Sequence, residues 1–395
     1  MRLVLFTGKG GVGKTTAAAA TAALAAGEGR KALAVSADPA RSLAEVLGVS
    51  LGAEPVDVAG PLSALQVEPQ RACDDAWPAV RDALSAWWDT AGFLPPGVGL
   101  AGVPAVAGVL TLLAIRDAAR SANADLICVD CASTAETVRL LQWPELITAW
   151  LQRLLPRVEG ALVRGSKSLL NRALSMPAQS EALRDALTRL DAELADAQAL
   201  LADPLTTSVR LVLTPERSAV AHTRRALTAL ALHGHRVDGL ILNRVLAPDG
   251  ADPWRAGWAA AQQEQLAVIR ADFGALPIWE MAYGPAEPLG VAALADLARG
   301  GYGGADPLGG AAGRDPLVIR RTPDGFALEL PLPWADRSEL DLARYGDDLL
   351  VRVGAQRRTL HLPAAVRGCQ VAGARLADGV LTIRFQPGPE RRSGG

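Results

Sequence analysis

The residues with the clearest chemical potential form a glycine-rich segment close to the amino end. The segment reads Gly8-Lys9-Gly10-Gly11-Val12-Gly13-Lys14-Thr15-Thr16. Two glycines bracket four residues and Lys-Thr follows, which is the spacing of a phosphate-binding loop between a strand and a helix. Glycine lets several backbone N–H groups converge on a polyphosphate without interfering Cβ atoms. We therefore expect Lys14 to reach the terminal phosphates and Thr15 to hold Mg²⁺.

Two acidic residues stand where apolar, strand-like runs end. Asp130 closes the run Leu126-Ile127-Cys128-Val129, and we expect it to tie the Mg²⁺ shell to the core. Asp38 follows another run and precedes Pro39 and a new helical pattern. An acid before Pro is also a good helix N-cap, so the spacing alone leaves Asp38 two roles, catalytic or capping.

The first 300 or so residues alternate such runs with longer Ala/Leu-rich helical patterns. This order predicts an α/β fold with a mostly parallel sheet and helices on both faces. The runs lack strict alternation, as is typical of strands buried on both faces. The predicted strands are Arg2–Thr7, Ala32–Ser36, Asp125–Asp130, Arg210–Thr214 and Val237–Asn243. Apolar residues at helical spacing, including Trp143, Ile147, Trp150 and Leu151, predict a helical insertion over about 144–202.

A change in composition divides the chain near residue 304. The predicted organisation is an α/β domain with the phosphate-binding loop over 1–303, a Gly-rich linker over 304–315, a small all-β sandwich over 316–387 and a disordered tail over 388–395. The β prediction rests on short runs at close spacing with turns at Pro323-Asp324-Gly325 and Asp378-Gly379.

Composition narrows the function classes. The chain has 395 residues, 40 basic and 42 acidic groups and a net charge of −2, which gives no global reason to bind nucleic acid. Four cysteines fit a reducing compartment, and the start lacks a secretory leader, so we expect a cytoplasmic protein. Residues 93–115 carry no charge, but their prolines and glycines argue against a membrane-spanning helix and for a buried or groove-lining segment. No catalytic pair of histidines is visible, and His233 and His235 are expected at the surface.

The Gly8–Thr16 string resembles the deviant Walker A motif of the ATPase family that includes MinD, ParA, nitrogenase iron protein and ArsA. The likeness spans about residues 1–303 and implies an α/β P-loop fold that binds ATP and Mg²⁺ in a homodimer. In that family the extra lysine, here Lys9, reaches the nucleotide of the other subunit; a solvated loop lysine is the alternative. Asp38-Pro39-Ala40-Arg41 resembles switch I of ArsA and of ATPases that target tail-anchored proteins. The resemblance implies that Asp38 orients or deprotonates the attacking water and lies near the metal. It also implies that Asn243 contacts the adenine; the alternative is that Asn243 only stabilises a turn.

The segment after Asp130 resembles switch II of the same family but departs from its pattern. The sequence has Cys131 for Thr, Ser133 for Pro, Ala135 for Gly and Glu136 for His. These departures bear on how freely the loop moves and how it couples to the γ-phosphate. They favour hydrolysis that is slow or differently regulated.

The C-terminal segment resembles the α-crystallin domain of small heat-shock proteins. The motif Leu376-Ala377-Asp378-Gly379-Val380-Leu381-Thr382-Ile383 carries this resemblance. An ArsA-like ATPase with such a domain resembles a branch of the tail-anchored targeting ATPases. The resemblance implies a carrier of hydrophobic or transmembrane segments, which would sit in a groove formed by the insertion helices and residues 93–115.

Other functions stay open at this stage. The apolar helices could pack as core instead of forming a groove. A nucleotide-dependent scaffold with little turnover and an arsenite-pump-like ATPase subunit are the alternatives for the whole chain. A MinD- or ParA-like positioning role needs a basic face or an amphipathic terminal helix, and the sequence shows neither. We therefore expect no nucleic-acid partner and no stable membrane insertion.

Overall fold

The computed structural model describes residues 1–69, 104–148, 180–247, 252–309 and 317–387. The chain forms two compact units. The first comprises Met1–Thr207 with Gly284–Gly309, and the second comprises Ser208–Tyr283 with Gly310–Gly395. Parts of the predicted helical insertion (149–179), the amino half of the uncharged stretch (93–103), the end of the predicted linker (310–315), the first residue of the predicted sandwich (316) and the predicted tail lie outside the described residues.

The first unit contains five adjacent strands of a mostly parallel sheet. Their order is β3-β4-β2-β5-β1, and only β3 runs antiparallel to its neighbour. The strands are β1 (Arg2–Gly8), β2 (Ala32–Ser36), β3 (Val56–Ala59), β4 (Leu62–Gln66) and β5 (Leu126–Ser133). All residues of β1 and β2 are buried, as the continuous apolar runs predict.

Helices of the first unit connect and cover these strands. They are α1 (Lys14–Gly27), α2 (Ser42–Leu47), α3 (Pro104–Ser121), a helical segment over 134–148, α4 (Ser180–Ala202) and α7 (Gly290–Tyr302). Helix α1 contacts β5 and α7, and its buried alanines allow this close approach. The Thr21 hydroxyl, which also donates to Ala17 O, lies 2.8 Å from the Tyr302 hydroxyl. This buried pair fixes α7 against α1.

The described half of the uncharged stretch belongs to the core. Helix α3 continues through Gly108. The position requires glycine, because a Cβ there would come within 2.4 Å of Trp143 Nε1. The indole of Trp143 therefore packs directly on the helix backbone. The residues Val109, Leu110, Leu112, Leu113 and Ile115 are each at most 5% exposed. For residues 109–115, the core alternative describes the molecule better than an open groove.

The second unit contains three parallel strands and two helices followed by a β-sandwich. The strand order is β6-β7-β8. These elements are β6 (Thr207–Leu213), α5 (Arg217–Leu232), β7 (Val237–Val245), α6 (Pro253–Phe273) and β8 (Ile278–Ala282). Asp252 caps α6 by accepting from the N–H groups of Trp254 and Arg255, with Pro253 at the start of the helix.

The sandwich consists of a four-stranded and a three-stranded antiparallel sheet. Their orders are β14-β15-β10-β9 and β11-β12-β13. The strands are β9 (Val318–Thr322), β10 (Gly325–Pro331), β11 (Leu340–Tyr345), β12 (Asp348–Val353), β13 (Gln356–His361), β14 (Cys369–Ala377) and β15 (Val380–Pro387), and α8 (Ala364–Arg367) links β13 to β14. Asp378 and Gly379 both have positive φ, as the tight hairpin turn predicted there requires.

The sandwich packs on α5. Leu232, the last residue of α5, joins the sandwich core, and Arg358 of β13 donates to the Leu232 carbonyl at 2.9 Å. Trp334 packs between Phe273 and the guanidinium of Arg224, whose carbon lies 4.8 Å from the Trp334 ring centroid. The surface of α5 that faces the sandwich is therefore part of one hydrophobic core.

The fold class predicted from the sequence is confirmed, with local corrections. Strand β5 continues three residues past Asp130, so Cys131 is buried in a strand and does not lie in a switch loop. This extension is paired to β1 through Gly8 and Ser133. The prediction that His233 lies at the surface is wrong, because the docked sandwich leaves it 7% exposed. Among the described residues, no helix has both the length and the apolar character needed to cross a membrane.

Candidate functional site

The glycine-rich loop joins β1 to α1 in the way its sequence predicts. Gly11 and Gly13 have φ of 79° and 90°, a region that L side chains rarely adopt. A Cβ added at Gly10 or Gly11 would meet no atom within 4 Å, so the backbone there faces open space. Gly13 precedes α1, and no side chain caps this helix end. The result is an open cradle of backbone at a helix N-terminus, suited to an anion.

The two lysines of the loop have different surroundings. Lys14 is 8% exposed at the first position of α1, whereas Lys9 is exposed at the start of the loop. A buried ammonium at the base of the cradle adds positive charge to the helix dipole. Lys14 is therefore placed to bind an anion held by its own loop, and the role of Lys9 toward a second subunit stays a prediction.

Asp130 lies beneath the loop and is bonded to it. The Thr15 hydroxyl donates to Asp130 Oδ2 at 2.7 Å, and Asp130 is fully buried. Burial raises the pKa of the Asp130 carboxyl to about 7, and Asp38 adds to this rise, while the Thr15 bond and the Lys14 charge oppose it. Oδ1 has no hydrogen-bond partner. A buried carboxylate with an unused oxygen beside a threonine hydroxyl matches the oxygen ligands that Mg²⁺ takes.

Asp38 lies just after β2, in a half-buried turn. Its Oδ1 accepts from the Ala40 N–H at 2.9 Å, and Arg41 N donates to its carbonyl at 3.3 Å. Arg41 has φ of 57°, an uncommon conformation for a residue other than glycine, and its guanidinium bonds to Glu68 at 3.1 Å. Asp38 therefore stabilises its own turn but does not cap α2, whose N-cap position is Arg41 and which has no side-chain cap. Its charge acts on Asp130.

Two sets of hydrogen bonds hold the segment after Asp130. The Glu136 carboxylate accepts from Ser133 N at 3.1 Å and from Ser133 Oγ at 3.0 Å, which fixes the start of the helix over 134–148. The buried hydroxyls of Thr7 and Thr137 lie 2.8 Å apart. Thr7 directly precedes the glycine loop, so this pair links the loop to the 134–148 helix.

Comparison with known proteins identifies the two parts of the chain. Residues 1–302 match the model of the ArsA family, described as anion-transporting ATPases. The chain belongs to this ATPase family. Residues 323–385 match the HSP20-like domain found in ArsA proteins, so the sandwich is a known companion of the ArsA domain.

Several relatives match this ArsA-family chain over nearly its whole length. An uncharacterized protein of Streptomyces coelicolor is 39% identical over 99% of this chain and 98% of its own. A protein of Mycobacterium tuberculosis is 34% identical over 98% of this chain and 97% of its own. The arsenical pump-driving ATPase of Escherichia coli is 31% identical over 74% of this chain and 48% of its own length.

The remaining predicted site residue, Asn243, lies on β7 in the second unit of the ArsA-family chain. Its Oδ1 accepts from Arg244 N at 2.9 Å, and Arg244 has a positive φ of 59°. Gln262 holds the same turn through Leu246 N and the Arg244 carbonyl. These contacts match the turn-stabilising alternative. The adenine contact stays a prediction.

Sequence reasoning missed one residue that contacts the site. Gln66, at the end of β4, is 3% exposed and donates to the carbonyl of Asp38 at 3.3 Å. The short, mixed run Leu62-Ser63-Ala64-Leu65 did not indicate a buried strand. The signal was nevertheless present, because Gln66 is a polar residue at the end of an apolar run, as Ser36 and Asp130 are.

The described cysteines of the ArsA-family chain, Cys128, Cys131 and Cys369, are reduced and buried. Burial raises the pKa of the Cys131 thiol, and the neighbouring Asp130 charge adds to this. Within the described ranges, no group of three His, Cys, Asp or Glu residues could hold a metal ion together.

Proposed function

We propose that this chain is a Mg²⁺-dependent ATPase that works as a homodimer and couples ATP binding and hydrolysis to the opening and closing of a site for hydrophobic client segments. The observation that carries the nucleotide part is the open glycine cradle above the bonded pair Thr15 and Asp130. The buried, unpartnered oxygen of Asp130 costs free energy in the absence of a ligand, about 1–3 kcal/mol for such a group. Such a cost is typical of a binding site.

Each residue then has a stated role. Backbone N–H groups from Gly8 to Thr16 bind the phosphates, and Lys14 neutralises the terminal ones. Thr15 and Asp130, with Asp38 nearby, would hold Mg²⁺, which when bound supplies charge for the phosphate oxygens. Asp38 orients or deprotonates the attacking water. Lys9, exposed at the loop, supplies charge to the nucleotide of the second subunit.

Turnover tests the enzymatic part of the proposal. Phosphate release is measured with Mg·ATP for the wild type, Asp38→Asn and Lys14→Ala. We expect Lys14→Ala to lose ATP binding and Asp38→Asn to bind ATP but hydrolyse it at least ~100-fold more slowly. Equal rates for the wild type and Asp38→Asn, both at background, would contradict the enzymatic role.

The client part of the proposal is supported by the resemblance to ATPases that target tail-anchored proteins and by the HSP20-like domain. The buried residues of α3 are already used as core, so a groove would draw on other parts of the predicted insertion. A defined probe is a fluorescent 20-residue apolar helix, titrated with and without Mg·ATP. Binding that changes with nucleotide supports the carrier function. Nucleotide-independent or absent binding contradicts it.

A second candidate is a nucleotide-dependent scaffold with little turnover. The bonds from Ser133 to Glu136 favour it, because they brace the switch II segment. Wild-type ATP binding without measurable hydrolysis would support this candidate. A third is an arsenite-pump-like subunit, suggested by the name of the Escherichia coli relative, and stimulation of turnover by arsenite would favour it.

A further inference from the structure

Three polar residues form a row across the carboxyl end of the first unit's sheet. Ser36 of β2 is in register with Gln66 of β4 on one side and with Asp130 of β5 on the other. In parallel strands, residues in register project to the same face. Gln66 therefore lies on the face that carries the Thr15–Asp130 bond. All three residues of the row are at most 3% exposed.

Gln66 uses its amide donors on the segment that leads to Asp38. Nε2 lies 3.2 Å from the Ser36 carbonyl, 3.3 Å from the Asp38 carbonyl and 3.3 Å from the Val67 carbonyl. On the opposite side, Ala37 N donates to the Asp130 carbonyl at 2.9 Å. The backbone from Ser36 to Asp38 is thus held between β5 and the Gln66 side chain.

We propose that Gln66 is a positioning residue for Asp38, setting where the Asp38 carboxylate stands relative to the nucleotide. This inference rests on the proposed hydrolytic role of Asp38. Gln66 acts through the backbone of Asp38 and does not itself touch the reacting atoms. A shift of about 1 Å in a group that orients the nucleophile costs up to about 100-fold in rate.

The contacts of Gln66 separate positioning from simple stability. The Ser36 carbonyl also accepts from Val67 N at 2.9 Å, and the Asp38 carbonyl also accepts from Arg41 N at 3.3 Å. The Ser36 and Asp38 carbonyls each keep a donor when Gln66 is replaced, whereas the Val67 carbonyl loses its contact with Gln66. The Gln66 Oε1 atom is buried without a hydrogen-bond partner, which is unfavourable for the fold. An apolar side chain of similar length should therefore fold as well as glutamine.

The test compares Gln66→Met, Asp38→Asn and the double variant in the full chain. We expect Gln66→Met to lower kcat about 10- to 100-fold, with KM for ATP within about threefold and the thermal midpoint within about 3 °C of the wild type. In the Asp38→Asn background, Gln66→Met should change kcat by less than about twofold, because its effect passes through Asp38. Ser63→Ala, which removes the 3.1 Å bond from β4 to Asp57, is the matched control and should leave kcat unchanged.

Two results would overturn the inference while leaving the proposed function intact. One is a Gln66→Met variant with wild-type kcat. The other is an equal loss of kcat from Gln66→Met in both backgrounds, which would show that Gln66 acts independently of Asp38. If Asp38→Asn itself hydrolyses ATP at the wild-type rate, the role of Asp38 fails, and the inference about Gln66 fails with it.

Discussion

Acid should weaken the second unit through His233. This residue follows the last turn of α5, where Arg358 of the sandwich donates to the Leu232 carbonyl. Burial, together with the neighbouring Arg358 charge, lowers the pKa of His233 from 6.5 to about 4. The folded state therefore keeps this imidazole neutral in a range where the unfolded chain protonates it.

The sign and size of the effect follow from linkage. The pKa of His233 is lower in the folded state than in the unfolded state. Its contribution to the free energy of unfolding is therefore fully present above pH 6.5 and is lost as the pH falls toward 4. Between pH 7.5 and pH 4.5, the two pKa values give a loss of about 2.5 kcal/mol in the free energy of unfolding. His235, whose pKa is lowered to about 3 by burial and by the charges of His233 and Arg358, acts in the same direction.

Denaturant unfolding at pH 7.5 and 4.5, followed by tryptophan fluorescence and circular dichroism, measures this loss. We expect His233→Asn to lose about 2.5 kcal/mol less than the wild type over the same range. His361→Asn is the matched control, because it makes the same substitution at an imidazole that is 64% exposed beside Asp348. If the wild type and His233→Asn lost the same free energy, the reasoning from burial would be refuted.

Three further changes test the site. Asp130→Asn removes a buried charge, so at pH 8 we expect the nucleotide-free protein to be more stable by about 1–3 kcal/mol and to lose Mg·ATP-dependent stabilisation; a destabilised variant in thermal melts would contradict this. Gly11→Ala should lower the free energy of unfolding by about 1–2 kcal/mol because of the positive φ at this position. It should also lower the affinity for ATP at least ~10-fold in calorimetric titration, since its Cβ enters the cradle. Unchanged affinity would show that the phosphates bind elsewhere. Thr137→Val removes the hydrogen bond to Thr7 and should lower the free energy of unfolding by about 1 kcal/mol. It should lower kcat more than the affinity for ATP. A change in affinity alone would argue against a link between the glycine loop and the switch II segment.

The parts of the fold that the sequence predicts well have strong local signals. Strands β1 and β2 are buried throughout, β7 is buried from Val237 to Asn243, and each of the three contains an apolar run. The glycine loop has a fixed spacing between strand and helix. Strands β3 and β4 were missed because the first is exposed and the second ends in Gln66. The β-sandwich was predicted from its turns, of which Asp378-Gly379 has the expected positive φ at both residues.

Contacts between distant segments could not be predicted in the same way. Gln66 and Asp38 lie 28 residues apart in the chain, and only the strand register brings them together. The burial of His233 depends on a sandwich that begins more than 80 residues later. The buried pair of Thr7 and Thr137 spans 130 residues. The local sequence around each residue does not predict such contacts.

The central claim of the proposed function is that ATP bound at Gly8–Thr16 holds two copies of the chain together. Sedimentation or light scattering of the Asp38→Asn variant measures the mass directly with and without Mg·ATP, and Lys14→Ala serves as the control. Mg·ATP should shift the mass to twice the 41.1 kDa of one chain, and the Lys14→Ala variant should not respond. A chain that binds no ATP, or that stays at 41.1 kDa at every nucleotide concentration, would contradict it.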